Sequence, residues 1–578
     1  MLKKMIIFLF CLCLAWPAQA SSNGFDVIDE PLYNQVLEKT STTARDVKLY
    51  KLIFAALRQK DVEKADELTA KLKSPVLLGH VLAQKYLTTP YPTTYAELIK
   101  WQKKYAQLPQ KTAIAALAKV KAPGYKPKKS KPQPKKLYAP YDWFKDSYNY
   151  LKPADRKYVR RNVEEFLKAI RKTDNKKAVS IMQDYKFRMT IPDRQYDGMS
   201  AVLAASYFYE GEYENALKWT NKAVRRSKEP TAAWFAGMSA WQLKNYAKSA
   251  QSFAQLVSFD NKDKWLIASA AYWAYRANLK IGKTGAAVSF LRKAAANERT
   301  FYGILARYQL GRPVEYNWQI EAHFNNLSDN TYQEELLKSD SICRAILLLK
   351  VGEPDLAEDE LRKNYAKFNV HQKELVMFLS SQYSLANLSL LLADGLKNYE
   401  KRRSYDGFLY PYPDWQPDDG WKVNQSWIWA LVRQESLFSA KVRSHAGACG
   451  LMQVMPATAA NVTKNKEYKK GCRLLFDKKH NLQIGQNYVD ILLNNEDVGD
   501  NLFFLAASYN GGPHNVKKWA GRSNYDNDPL LFVEMIPWRE TRLYVKKVVA
   551  NYWIYNSRRG QKSQSLEQLS KGLWPRLD

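Results

Sequence analysis

Metal-binding and nucleophile signatures are missing from this 578-residue chain, and their absence excludes several classes of enzyme. No two of the six histidines stand at the spacing of metal ligands, so no metal centre is predicted. There is no Gly-x-Ser-x-Gly sequence of the kind that carries the nucleophile of many serine hydrolases. Gly282-Lys283-Thr284 imitates the end of a phosphate-binding loop, but Ala277 occupies the first glycine position and both flanks read as helical.

Strand-like alternation is also rare, and from Ser21 to about residue 400 the apolar residues follow helical spacing. Within this region, pairs of helices repeat with small residues at matching positions, which allows close packing as in tetratricopeptide-like solenoids. The matched positions are Tyr213, Ala216 and Ala223, then Tyr246, Ser249 and Leu256, then Thr284, Ala287 and Ala294. The sequence therefore predicts a mainly α protein with a helical superhelix.

Long apolar runs are absent beyond the N-terminus, so no later transmembrane helix is predicted. Lys3 and Lys4 precede a short apolar stretch, and Ala18-Gln19-Ala20 supplies the small-residue pattern of a cleavage site. We predict a signal peptide over residues 1–20, cleaved after Ala20, and an exported protein without a stable membrane span. An uncleaved N-terminal anchor is the alternative.

Acidic residues are outnumbered, with 57 Asp and Glu against 89 Lys and Arg and a formal net charge of +32. Such a charge favours an anionic partner, and export argues for an envelope polymer and against nucleic acid. The segment from Lys121 to Pro140 is rich in lysine and proline and is predicted to be an exposed connection.

Cysteine is scarce, and only Cys343, Cys449 and Cys472 remain after the predicted cleavage. Export makes a disulfide chemically possible. Cys449 and Cys472 could pair and leave Cys343 free, although spacing alone cannot fix the connectivity.

The candidate chemistry lies beyond residues 406–420, where prolines and glycines mark a domain boundary. In the helix predicted after this boundary, Glu435 shares a face with Ile428 and Leu431. Loss of water around a carboxylate raises its pKa, which is what a general acid needs near neutral pH. A glutamate paired with an arginine at the edge of the core is the alternative, and this helix alone favours that alternative.

Two further segments strengthen the catalytic interpretation. Gly447 and Gly450 permit tight turns and the close approach of a ligand. Gln453 can donate and accept hydrogen bonds, which suits the acetamido and hydroxyl groups of a sugar. Further along, a predicted helix from Leu502 is stopped by Gly511-Gly512-Pro513, which places Tyr509 near a helix end.

Four motifs in this order resemble those of the soluble lytic murein transglycosylases. They are Arg433-Gln434-Glu435-Ser436, Ser444-x-Ala446-Gly447-Ala448-x-Gly450-Leu451-Met452-Gln453-x-Met455-Pro456, Ala506-Ala507-x-Tyr509-Asn510-Gly511-Gly512 and Ile536-Pro537-Trp538-Arg539-Glu540-Thr541-Arg542-x-Tyr544-Val545. The stretch Phe301-Tyr302-Gly303-Ile304-Leu305-Ala306 after the repeats also resembles this family.

The resemblance implies a ring-shaped or U-shaped α-superhelix over residues 21–335, a helical linker domain over 336–405 and a goose-lysozyme-like catalytic domain over 406–578. The catalytic domain is expected to be α-helical with a small β part. Glu435 is implied to be the sole catalytic acid and base. The residues implied to line or support the substrate cleft are Ser444, Gln453, Met455, Tyr509, Asn510 and Glu540.

By the same resemblance, the expected reaction is cleavage of the β-1,4 bond between N-acetylmuramic acid and N-acetylglucosamine in peptidoglycan. The expected product ends in a 1,6-anhydro ring, and no metal or organic cofactor is needed. The protein is expected to be a periplasmic monomer whose partners are glycan strands and other cell-wall enzymes, without nucleic acid. The alternatives are a hydrolase of the same bond, like goose-type lysozyme, and a non-catalytic helical scaffold that binds envelope proteins.

Overall fold

A computed structural model describes residues 30–125, 148–318, 330–396, 406–522 and 524–578. The predicted signal peptide and most of the segment from Lys121 to Pro140 lie outside these ranges. The described residues contain thirty α-helices, and their β structure is confined to three isolated bridges. The prediction of a mainly α protein is therefore confirmed.

The helices before residue 319 are amphipathic or buried, as their apolar spacing predicts. They are α1 (Glu30–Lys39), α2 (Ala44–Arg58), α3 (Val62–Thr69), α4 (Leu78–Thr88), α5 (Tyr95–Lys104), α6 (Lys111–Lys121), α7 (Pro153–Arg171), α8 (Asn175–Gln183), α9 (Tyr185–Thr190), α10 (Asp193–Tyr209), α11 (Tyr213–Ser227), α12 (Pro230–Gln242), α13 (Tyr246–Ser258), α14 (Lys264–Lys280), α15 (Thr284–Ala295) and α16 (Phe301–Gln309).

The later helices fall on both sides of the predicted domain boundary at residues 406–420. Those before it are α17 (Asn330–Leu337), α18 (Asp340–Lys350), α19 (Pro354–Asn364), α20 (Val370–Gln382) and α21 (Ala386–Leu396). Those after it are α22 (Asp406–Leu409), α23 (Gln425–Ser436), α24 (Pro456–Thr463), α25 (Lys478–Leu493), α26 (Leu502–Gly511), α27 (Pro513–Ala520), α28 (Pro529–Met535), α29 (Arg539–Arg558) and α30 (Gln564–Ser570). Short 3-10 helices cover Tyr365–Lys367, Lys466–Lys470 and Arg473–Phe476.

The repeated positions in the sequence correspond to helix pairs in the structure. Tyr213, Tyr246 and Thr284 are the first residues of α11, α13 and α15. The other six matched positions, from Ala216 to Ala294, are all buried. In one pair the approach is so close that a Cβ atom on Gly237 of α12 would lie 2.6 Å from the Phe253 ring of α13. Small residues therefore allow the paired helices to pack closely, as the sequence predicted.

By contacts, the described chain divides into two compact units, one from Met1–Pro127 with Ile320–Leu392 and one from Lys128–Gln319 with Ala393–Asp578. The first unit contains α1–α6 and α17–α20. The second contains the repeats and the helices after residue 406. This division does not follow the predicted ranges 21–335, 336–405 and 406–578, which stay predictions.

In the second unit, α16, which follows the repeats, and the turn before it pack against the C-terminal helices. The ring of Phe301 on α16 stacks on the ring of Trp553 on α29, with centroids 5.2 Å apart. Arg299 forms an ion pair of 2.6 Å with the fully buried Asp406 at the start of α22. These contacts fix the beginning and the longest helix of the C-terminal region relative to the repeats. Within the described ranges, no helix combines the length and apolarity needed to cross a membrane.

Candidate active site

Glu435 lies in the last turn of α23, the helix on which the sequence places it. The side chain of Asn424 caps the start of this helix by accepting a bond of 2.9 Å from the amide of Ser426. The helix ends because Leu437 and Phe438 adopt left-handed φ values of 49° and 65°. Strained backbone of this kind persists where the surrounding structure holds it, and it clusters at functional sites.

The carboxylate of Glu435 has a tyrosine as its hydrogen-bond partner. Tyr544 on α29 donates its hydroxyl to Oε1 of Glu435 at 2.6 Å. Burial raises the pKa of Glu435 to about 7, the Tyr544 bond opposes this rise, and the nearby charge of Glu540 adds to it. Glu435 is therefore poised to hold its proton near neutral pH.

The neighbouring arginine does not pair with Glu435. Arg433 donates to the carbonyl of Leu409 at 3.0 Å, and its guanidinium lies 4.2 Å from the centre of the Tyr410 ring. In the described part of the chain, no cationic side chain lies within ion-pair distance of Glu435. The alternative of a structural glutamate–arginine pair, which the helix alone favoured, is therefore wrong.

A tight loop follows Glu435 and carries the second motif. It is held by the isolated bridges Arg443↔Cys449 and Cys449↔Val454, which provide the small β part predicted for this region. Gly450 has a φ of +78°, and a Cβ atom there would lie 2.1 Å from the carbonyl oxygen of Leu475. Only glycine satisfies both demands. Cys449 is joined to Cys472 by a disulfide, and Cys343 is free and buried, which is the pairing left open by the sequence.

Comparison with known proteins decides the nature of this region. Residues 416–531 match the family described as Transglycosylase SLT domain. Residues 416–531 of this chain are a transglycosylase SLT domain. The family resemblance drawn from the four motifs is therefore confirmed.

Sequence similarity to known proteins extends beyond the SLT domain. The chain is 26% identical over 414 residues to the soluble lytic murein transglycosylase of Salmonella typhimurium, covering 70% of this chain and 61% of that protein. It is 29% identical over 309 residues to the Escherichia coli protein of the same name, covering 52% of this chain and 45% of that protein. The aligned part thus spans less than two thirds of both relatives.

Solved structures share the fold. The 70 kDa soluble lytic transglycosylase of Escherichia coli superimposes with a TM-score of 0.53 at 17% identity, covering 92% of this chain and 99% of that chain. The complex of the 70 kDa soluble lytic transglycosylase with bulgecin A gives a TM-score of 0.56 at 19% identity, covering 95% of this chain and 91% of that chain. At these identities the likeness establishes the fold.

Ser444 and Gln453 of the SLT domain use polar atoms to shape the loop. The Ser444 hydroxyl accepts a bond of 2.9 Å from the amide of Ala448. Gln453 has a φ of 48°, and its side-chain amide donates to the carbonyl of Gly450 at 2.8 Å. These bonds give both residues a role in holding the loop, and their predicted contact with substrate stays a prediction.

Met455 and Tyr509 both stand at the loop segment that ends at α24. Met455 stands just before α24 with 39% of its surface exposed, so it is accessible to a ligand. Tyr509 donates its hydroxyl to the carbonyl of Met452 at 2.8 Å and packs near Tyr488, with ring centroids 5.5 Å apart. Burial and the charge of Glu435 raise the pKa of Tyr509. Tyr509 thus links α26 to the loop beside Glu435.

Asn510 and Glu540 lie where α26 meets the beginning of α29. Asn510 accepts a bond of 2.6 Å from the Thr541 hydroxyl, which ties the end of α26 to the first turn of α29. Glu540 is exposed, and it acts on Glu435 through its charge. Next to it, Trp538 has 50% of its surface exposed and contacts Trp519 edge to face at 5.3 Å.

Sequence reasoning missed two residues that organise the surroundings of Glu435. Tyr544 belongs to the fourth motif, but nothing in its local pattern connects it to Glu435, 109 positions away. Asn481 of α25 is fully buried, accepts from the amide of Met452 at 2.8 Å and donates to the carbonyls of Cys449 and Leu475 at 3.0 and 2.8 Å. An asparagine inside an apolar helical stretch was the available signal, because a buried amide needs partners.

The described residues contain no group of three or more His, Cys, Asp and Glu side chains arranged to hold a metal ion. The arrangement of Glu435 and Tyr544 suits proton transfer, because the carboxyl group has a raised pKa and accepts a hydrogen bond from the tyrosine hydroxyl.

Proposed function

We propose that this protein is a peptidoglycan lytic transglycosylase that cleaves the β-1,4 bond between N-acetylmuramic acid and N-acetylglucosamine. The observation that carries the proposal is a half-buried glutamate, Glu435, whose pKa is raised to about 7 and whose partner is a tyrosine hydroxyl. A carboxylic acid that stays protonated near neutral pH can donate to a glycosidic oxygen. The SLT domain and the names of the relatives support this substrate.

The first step is protonation of the leaving oxygen by Glu435. The C1–O bond to N-acetylglucosamine then breaks, and positive charge develops at C1 of the muramoyl residue. The oxygen of the substrate's own N-acetyl group stabilises C1. Tyr544, already bonded to Oε1, stabilises the carboxylate that Glu435 becomes, because a hydrogen bond to the charged form favours it.

In the second step the Glu435 carboxylate takes the proton of the C6 hydroxyl. The C6 oxygen attacks C1 and closes the 1,6-anhydro ring, so the proton returns to Glu435 and no water is consumed. The same group thus acts as acid and then as base, and the balance requires no further reactant. Met455 and Tyr509 border the reacting sugar, and Ser444, Gln453, Asn510 and Glu540 support the cleft around it.

Residence in the periplasm follows from this substrate together with the predicted signal peptide, and the protein acts there as a monomer on glycan strands. Docking of other cell-wall enzymes belongs to the same proposal. The strong positive charge of the chain favours attraction to an anionic polymer.

Mass spectrometry of muropeptides released from purified peptidoglycan tests the reaction. A transglycosylase releases products that end in 1,6-anhydro-N-acetylmuramic acid. A hydrolase of the goose-lysozyme type releases products heavier by one water, and finding those instead would overturn the proposed second step. Binding to peptidoglycan with no released product would favour a non-catalytic scaffold.

A further inference from the structure

A buried ionic cluster lies where α28 and α29 pack against α12, α14 and α16, inside the second compact unit. At its centre is Glu534 of α28, of which only 1% is exposed. Lys546 of α29 donates to both carboxylate oxygens of Glu534, at 2.8 and 3.1 Å, and Arg542 lies 3.9 Å away. Tyr302 of α16 donates its hydroxyl to Oε1 of Glu534 at 2.8 Å.

The repeats enclose this cluster with aromatic rings. The Lys546 ammonium lies 5.9 Å from the Trp234 ring and 5.8 Å from the Tyr302 ring. Trp273 of α14 donates its indole N–H to the Tyr302 hydroxyl at 3.0 Å, so this hydroxyl both accepts and donates. Desolvated charges of this kind need fixed partners, because a buried charge without them is costly. The repeats therefore complete the environment of a lysine that belongs to α29.

Helix α29 presents its two faces to two different neighbours. Lys546 and Tyr544 are two positions apart, which is a rotation of roughly 200° around an α-helix. Lys546 faces Glu534, and Tyr544 on the opposite face reaches Glu435. A shift or rotation of α29 at the cluster would therefore move the Tyr544 hydroxyl relative to Glu435.

We propose that Tyr302 is a positioning residue for the active site, which acts through Glu534 and Lys546 on the placement of α29 and so on the Tyr544–Glu435 hydrogen bond. Helix α16, together with the repeat helices that pack around Tyr302, then helps to set the acidity of Glu435. This inference rests on the proposed function, because its readout is turnover of peptidoglycan.

The test is the pH dependence of kcat/KM for the full chain with Tyr302→Phe, which keeps the ring and removes the hydroxyl. A weaker Tyr544–Glu435 hydrogen bond stabilises the carboxylate of Glu435 less, so the pKa of Glu435 rises. The alkaline limb of the profile, which reports this pKa, then moves to higher pH. We expect kcat to fall about 10-fold. A distant mutation that misplaces a catalytic group by about 1 Å can cost up to about 100-fold in rate. Tyr308→Phe on the same helix is the matched control, because the Tyr308 hydroxyl makes no hydrogen bond to Glu534. This variant should keep the wild-type profile.

A second variant, Lys546→Met, removes the ammonium group while keeping an unbranched side chain that is one atom shorter, and it should move the limb in the same direction. Lys546→Arg should restore part of the wild-type profile. Two results together would overturn the inference. The alkaline limb would be unchanged in both Tyr302→Phe and Lys546→Met, and their activity would fall only in proportion to the folded fraction measured by circular dichroism. Absence of turnover by the wild-type protein would instead reject the proposed function, so the two failures are distinguishable.

Discussion

At the scale of single residues, the proton on Glu435 is controlled by neighbours of three kinds. Surrounding protein atoms remove water and raise its pKa, the charge of Glu540 adds to the rise, and the Tyr544 hydroxyl lowers it. Burial has the largest effect, which places the pKa at about 7 in spite of a short hydrogen bond to the charged form. The site therefore combines a desolvated acid with a partner ready to stabilise its conjugate base.

Removing this partner gives a prediction at the same scale. In Tyr544→Phe, the carboxylate loses a hydrogen bond, so the pKa of Glu435 rises further. Bonds to charged groups contribute about 1.5–3 kcal/mol, which corresponds to a rise of about 1 to 2 pH units. The alkaline limb of the kcat/KM profile should move upward by that amount. A limb that stays in place or moves to lower pH would show that Tyr544 does not act on Glu435.

At the scale of elements, the loop after α23 depends on two glycines that differ in their surroundings. Gly447 has a φ of +96°, and the nearest atom to a Cβ there is Nη2 of Arg443 at 3.9 Å. Gly450 combines its positive φ with a Cβ position 2.1 Å from the Leu475 carbonyl oxygen. At both positions the positive φ would strain any other residue, but only Gly450 also lacks space for a Cβ atom.

This contrast predicts different costs for two alanine substitutions. Gly447→Ala should reduce the free energy of unfolding by about 1–2 kcal/mol, the cost of the left-handed backbone. Gly450→Ala should reduce it by about 4 kcal/mol or more, because backbone atoms must also move. Urea denaturation of the two variants measures both values. Equal costs would mean that the loop relaxes freely around residue 450.

The sequence predicts those features of the elements that depend on residues close together in the chain. Helical spacing placed Glu435 correctly on α23, and Pro456 begins α24 as expected for a proline in a first turn. Pro513 was predicted to stop a helix, and it also begins α27 directly after Gly512. Tyr544 and Asn481 were missed because their partners are distant in the chain, and spacing along the chain carries no information on such contacts.

At the scale of the whole molecule, the same limit applies to domains. The repeats were recognised from small residues at matching positions, whose burial confirms their packing role. The association of residues 148–318 with the C-terminal helices was not predicted, because it depends on contacts between residues distant in the sequence, such as those of Phe301 and Asp406.

The raised pKa of Glu435 also predicts how global stability changes with pH. Its folded-state value of about 7 lies above the ordinary value of 4.5, so the folded protein binds this proton more tightly. The resulting stability is fully present below pH 4.5 and is lost as the pH rises toward 7. The loss from this one group is on the order of 3 kcal/mol. Denaturant titrations at pH 5 and pH 7.5 should show about 2 kcal/mol of this loss in the wild-type protein relative to Glu435→Gln, whose side chain does not ionise. An equal pH dependence of the two proteins would contradict the prediction.

The central claim is that one proton on Glu435 drives glycan cleavage, and turnover of purified peptidoglycan by Glu435→Gln tests it most directly. The amide cannot donate this proton or later accept one, so we expect no released anhydromuropeptides. The near-equal size of glutamine should preserve the fold, as measured by circular dichroism. A folded Glu435→Gln protein that still releases these products at a rate near that of the wild type would contradict the account.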